Sequence, residues 1–82
     1  NSHKQSIVLD INGQICPSCL LIVLKELNQH GHSVRSDRAE IIVFTDDRQA
    51  TSTIPEAVGK MGYSAEVTQI PGGYRIRVFA RA

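Results

Sequence analysis

Apolar and polar positions run along this chain with two periods, and the change from one period to the other marks out six elements. Ser6–Ile11 (SIVLDI) is a β-branched run closed by the turn pair Asn12-Gly13, which predicts a first strand. From Pro17 to Gln29 the spacing becomes helical: at 100° per residue Leu20, Val23, Leu24 and Leu27 share one stripe, with Leu21 at its flank. Pro17 suits the first helical position, where a missing N–H costs nothing, and Gly31 is the expected C-terminal stop. Ile22 points away from the stripe, toward the side of Ser18, Lys25 and Glu26. It is therefore expected outside the core, as a candidate docking residue beside the helix start.

His32–Arg38 (HSVRSDR) reads as a polar loop, and Glu40–Thr45 (EIIVFT) as a nearly continuous apolar strand of the kind found inside a sheet. Asp46-Asp47 closes that strand. Adjacent residues at a strand end face opposite ways, so a capping or loop role is expected of these acids rather than a carboxylate pair. A second helix follows, in which Thr53 and Glu56 have capping-box spacing and Pro55 lies in the first turn. Ile54, Ala57, Val58 and Met61 recur at i, i+3, i+4 and i+7, and Gly62 ends the helix. Tyr63–Ile70 and Tyr74–Arg81 flank Pro71-Gly72-Gly73 as a hairpin. In the last strand Tyr74, Ile76, Val78 and Ala80 alternate with Arg75, Arg77, Phe79 and Arg81, giving one apolar face and one mostly basic face. The order is β-α-β-α-β-β. Strands joined through a helix run parallel with a right-handed crossover, and strands joined by a hairpin run antiparallel. The expected fold class is α/β (α+β): a two-layer sandwich with a mixed four-stranded sheet and two helices on one face.

At 82 residues the chain is one domain with a single modest core. Asn1–Gln5 (NSHKQ), without an initial methionine, reads as a disordered or tag-derived start, a processed end or an excised edge, leaving residues 6–82 as the domain. Hydrophobic residues at 41% and charged residues at 21% exclude a disordered composition. A net charge of +1 supplies no general pull toward polyanions, so nucleic acid is not expected as a direct partner. No apolar run is long enough to span a bilayer, so no membrane association is expected.

The chemistry concentrates in Cys16-Pro17-Ser18-Cys19. With Pro17 as the first helical residue, Cys16 is the N-cap and Cys19 the third helical position, and Pro17 and Ser18 form the helix start that supports them. Free N–H groups and the macrodipole favour an anion there by about 0.3 to 1 kcal/mol, or up to about 2 kcal/mol when partly buried. A thiolate is the nucleophile and the sulfur acceptor, so this placement favours a reactive Cys16. Two small buried residues, a redox pair and half of a metal site are the other readings. Metal is disfavoured because structural zinc takes four ligands. His30 and His32 lie about 20 Å away along the helix, and His3 falls in the excluded start. The CxxC spacing without a secretory signal favours a reducing compartment.

The segments LDINGQICPSC, DD after the apolar strand, TIPEAVGKMGY and the final hairpin together resemble the TusA-like (SirA- or YedF-like) sulfur carrier family, over about Ile7 to Arg81. The resemblance implies a cytoplasmic sulfur carrier of sulfurtransferase type that needs no cofactor. Such a protein holds sulfane sulfur as a persulfide on the cysteine of a CPxP motif, here Cys16. The implied partners are a protein donor, of cysteine desulfurase or rhodanese type, and a protein acceptor. The implied fold agrees with the one read from periodicity.

This chain departs from the family pattern twice. The connection around Ser33–Ala39 is longer than the family's usual one, and the second proline of CPxP is Cys19. A Cys19 thiolate within reach of a Cys16 persulfide can attack its inner sulfur, expelling hydrosulfide and leaving a Cys16–Cys19 disulfide. Cys19 is accordingly a candidate resolving thiol, against the simpler reading that it only packs. Ile22, Arg75, Arg77 and Arg81 are candidate docking residues. Two other functions fit the sequence: a thiol–disulfide oxidoreductase using the Cys16/Cys19 pair, although the element order is not a plain thioredoxin pattern, and a non-enzymatic regulatory or interaction module.

Overall fold

A computed structural model describes residues 5–13, 18–36 and 38–80, with the side chains of residues 18 and 19 outside that description. The elements are β1 (Gln5–Asp10), α1 (Ser18–Arg35), β2 (Ala39–Thr45), α2 (Ala50–Lys60), β3 (Tyr63–Ile70) and β4 (Gly73–Ala80). The order is the expected one. β1 and β2 are parallel, β2 and β4 antiparallel, and β3 and β4 antiparallel, in the spatial order β1-β2-β4-β3. The apolar run of β2 is therefore explained: it lies inside the sheet, flanked by β1 and β4.

Strand alternation sorts the side chains into two faces. On one face Ile41 pairs with Ile7 and Val78, while Val43 pairs with Leu9 and Ile76. This face meets Val23, Leu27 and Val34 of α1 and Ala50, Ile54 and Val58 of α2, all buried. Each fully buried Val, Leu or Ile contributes about 1.5 to 3 kcal/mol. α1 packs against β2, β4 and α2, and α2 against β3 and β4, so both helices cover the same side of the sheet. The other face carries Val8, Ile42, Arg77 and Glu66 in one row and Asp10, Phe44, Arg75 and Thr68 in the next.

α1 departs from the periodicity most. It does not stop at Gly31 but continues to Arg35, taking up most of the expected polar loop and leaving residues 36–38 as the connection to β2. Gly31 is buried within the helix, and a Cβ placed on it would stand 3.1 Å from the hydroxyl of buried Tyr63. The glycine is there to let Tyr63 approach the helix, and Val34, one turn on, buries completely. Ser36 then closes the helix, with its N–H and its hydroxyl both donating to the His32 carbonyl.

Ile22 is also corrected. It is half-buried and packs against the core, whereas Leu21 is 62% exposed. Contact with both sheet and second helix covers a wider arc of α1 than a single stripe predicts. α2 starts a turn earlier than a Thr53 cap requires. Asp47 accepts the Gln49 N–H through Oδ1, and Ala50, Thr51 and Ser52 donate to carbonyls three residues back, winding a tight first turn. Thr53 instead donates its hydroxyl back to the Gln49 carbonyl, and Pro55 sits inside the helix. Met61, placed on the core stripe by periodicity, lies past the helix end and is 38% exposed. β1 begins at Gln5, whose N–H donates to the Arg38 carbonyl, one residue ahead of the expected start.

Candidate functional site at the carboxyl ends of the parallel strands

Parallel strands leave the sheet at the same end, so β1 and β2 deliver their following loops side by side. α1 and α2 each begin from one of those loops and present their N-termini there. β4 starts at that end too, with Tyr74 opposite Thr45, and the β3–β4 turn completes the group. The sequence-predicted cysteines belong to the first of these loops and the helix that follows it. Cys16 and Pro17 lie outside the described residues, as does Arg81. Ser18 and Cys19 are the first two residues of α1, their side chains outside the description.

The first turn of α1 contains no acidic side chain, so no described carboxylate of that turn occupies the positive end of the helix dipole. The loop before it is held to the loop after β2. Gly13, at φ +86°, donates its N–H to Asp46 Oδ1 at 3.1 Å, across 33 residues of sequence. Asn12 donates to Asp10 Oδ1 at 3.1 Å, and Ile11 N–H to the Phe44 carbonyl. On the β2 side, fully buried Thr45 accepts the Asp47 N–H through its hydroxyl. The two adjacent acids thus have separate tasks. Asp47 starts α2, and Asp46 ties down the loop that leads to Cys16.

Of the basic residues, Arg75 lies on the open face next to Phe44, toward this end, and Arg77 one pair farther away. Arg77 Nε donates to Glu40 Oε1 at 2.6 Å and its guanidinium lies 4.3 Å from the centre of the Phe79 ring, so much of its charge is already answered within the sheet. Arg75 Nε is buried and has no hydrogen-bond partner among the described residues. Sequence reasoning missed both the Glu40–Arg77 pair and the Gly13–Asp46 link. Each joins residues that become neighbours only through strand pairing. His30 is paired with Glu26 at 3.6 Å and, with His32, lies in the far half of α1. Among the described residues no group of three or more His, Cys, Asp or Glu is arranged to hold a metal.

A family model described as Sulfurtransferase TusA matches residues 7–79. The chain belongs to the TusA sulfurtransferase family. No curated protein and no solved structure matches it. The TusA match extends from β1 through all but the last residue of β4 and includes both cysteines, Asp46 and Asp47. Membership brings a sulfur carrier role and, with it, protein partners that exchange sulfur. No described helix is long and apolar enough to cross a membrane.

Proposed function

We propose that this TusA-family chain holds sulfane sulfur as a persulfide on Cys16, taking it from a cysteine desulfurase or rhodanese-type donor and passing it to an acceptor protein in the cytoplasm. The observation that carries this reading is the helix start. α1 begins at Ser18, directly after Cys16-Pro17, and its first turn has no acidic residue to compete with a sulfur anion. Pro17 and Ser18 support that start. In transfer, the donor's persulfide is attacked by the Cys16 thiolate, its outer sulfur moves to Cys16, and the donor leaves as a thiolate.

Cys19 is the resolving thiol in this proposal. Its thiolate attacks the inner sulfur of the Cys16 persulfide, a disulfide forms, and the sulfane sulfur leaves as hydrosulfide carrying the electron pair. The two cysteines are oxidised and the sulfane sulfur is reduced, so no outside reductant is needed until the disulfide is reopened. Partner docking is assigned to Arg75, Arg77 and Arg81 and to the apolar side of the helix start. The exposure of Leu21 makes it a better docking residue than Ile22.

The test is loading with a polysulfide donor, read by intact mass. Wild type gains one sulfur atom, and Cys16→Ser gains none; equal loading of the two would end the carrier reading. Cys19→Ser keeps the added sulfur longer than wild type, which instead loses it along with two hydrogens. Equal lifetimes, with no such loss, would remove the resolving role and leave Cys19 as a packing residue.

A further inference from the structure

We propose that Asp46 is the positioning residue for the Cys16 thiol, acting through Gly13. This rests on the carrier reading above only in making Cys16 the reacting group. The geometry is a loop pinned near both ends. Its far end is fixed by α1, which starts at Ser18. Its near end is fixed by the Gly13 N–H donated to Asp46 Oδ1 at 3.1 Å. Cys16 is three residues from one pin and two from the other, so covalent reach alone keeps its Cα within about 11 Å of the first and about 7 Å of the second. The first pin demands glycine: at φ +86° a side chain is strained, and nothing lies within 4 Å of where a Cβ would stand, so the backbone angle rather than crowding selects it.

The same bond fixes the loop against β2. Asp46 directly follows β2, the interior strand, and Thr45 before it is fully buried. The carboxylate is thus a rigid acceptor with a mobile donor segment brought to it. Its adjacent acid, Asp47, bonds Gln49 instead and serves α2, which supplies an internal control of the same residue type, one position along. Asp46 has opposing effects on a thiol at the helix start. Its hold on Gly13 keeps Cys16 at the positive end of α1, which lowers the thiol titration midpoint. Its negative charge raises that midpoint. The two effects separate by substitution, because an asparagine oxygen still accepts the Gly13 N–H while carrying no charge.

The experiment measures the rate of Cys16 alkylation by iodoacetamide against pH in the Cys19→Ser background, with thermal unfolding recorded alongside. The parent is expected to titrate below the about 8.5 of a free thiol. Asp46→Ala should raise the midpoint by about half a unit and slow alkylation at pH 7 about threefold. Asp46→Asn should leave the midpoint at or below the parent value. Asp47→Ala should lower thermal stability without moving it. A midpoint that falls in Asp46→Ala as it does in Asp46→Asn would mean that Asp46 acts by charge alone and overturns the proposal. So would a parent midpoint already at the free-thiol value, or an Asp47→Ala shift equal to that of Asp46→Ala. Should Asp46→Ala not fold, amide exchange in the wild type decides: a protected Gly13 N–H supports the pin, and an unprotected one refutes it. Because alkylation needs no sulfur donor, these results stand apart from persulfide loading, and failure of one claim leaves the other measurable.

Discussion

At the scale of single residues, polar atoms at the strand ends and on the open face are matched one to one. Glu40 illustrates this. Its Oε1 accepts from Arg77 at 2.6 Å and its Oε2 from the Ser6 hydroxyl at 3.2 Å, so one carboxylate links β1, β2 and β4. The pair is partly shielded, with side-chain exposures of 31% for Arg77 and 17% for Glu40, and solvent screening discounts it accordingly. Glu40→Ala is expected to lower unfolding free energy by about 1 kcal/mol, measured by urea denaturation. A loss no larger than that of Ser6→Ala would show that the Arg77 bond contributes nothing. The basic strand face was legible in the sequence as alternation. Its partial neutralisation was not, because Glu40 and Arg77 are 37 residues apart and meet only through the β2–β4 register.

At the scale of elements, the departures from periodicity share a cause: a local signal was overridden by what packs against it. Gly31 carries the mark of a helix stop, yet α1 passes through it because Tyr63 needs the space a side chain would fill. Gly31→Val is expected to destabilise by about 1 to 3 kcal/mol through overpacking, even though valine is the better helix former. Thermal unfolding checks it, and a stabilised variant would contradict the packing role. Thr53 and Glu56 carry the mark of a capping box, yet Asp47 supplies the earlier cap and α2 starts from it. Ile22 was assigned to the open side because a single stripe assumes a single neighbour, whereas α1 has a sheet and a helix against it. Element order, strand pairing and the Cys16 helix start were all legible, since each depends on local pattern and short connections. The site's anchor was not. Asp46 and Gly13 each looked like loop residues, and only the parallel pairing of β1 and β2 puts their loops together.

At the scale of the whole molecule, one end of the sheet gathers the parallel strand ends, both helix N-termini and the hairpin turn, while the open face is left with Phe44, Ile42 and Arg75 beside it. That arrangement lets chemistry and docking be separated. Leu21→Glu, at an exposed position of α1, should slow sulfur exchange with a protein partner about tenfold and leave loading by polysulfide unchanged. A slowing of both would mean the residue acts on the thiol rather than on docking. The central claim is the sulfur itself, and tandem mass spectrometry of the polysulfide-treated protein tests it most directly. The account predicts one additional sulfur atom carried by the peptide fragments that contain Cys16, and its loss from Cys16→Ser. Sulfur found on Cys19 alone, or on neither cysteine, would contradict it.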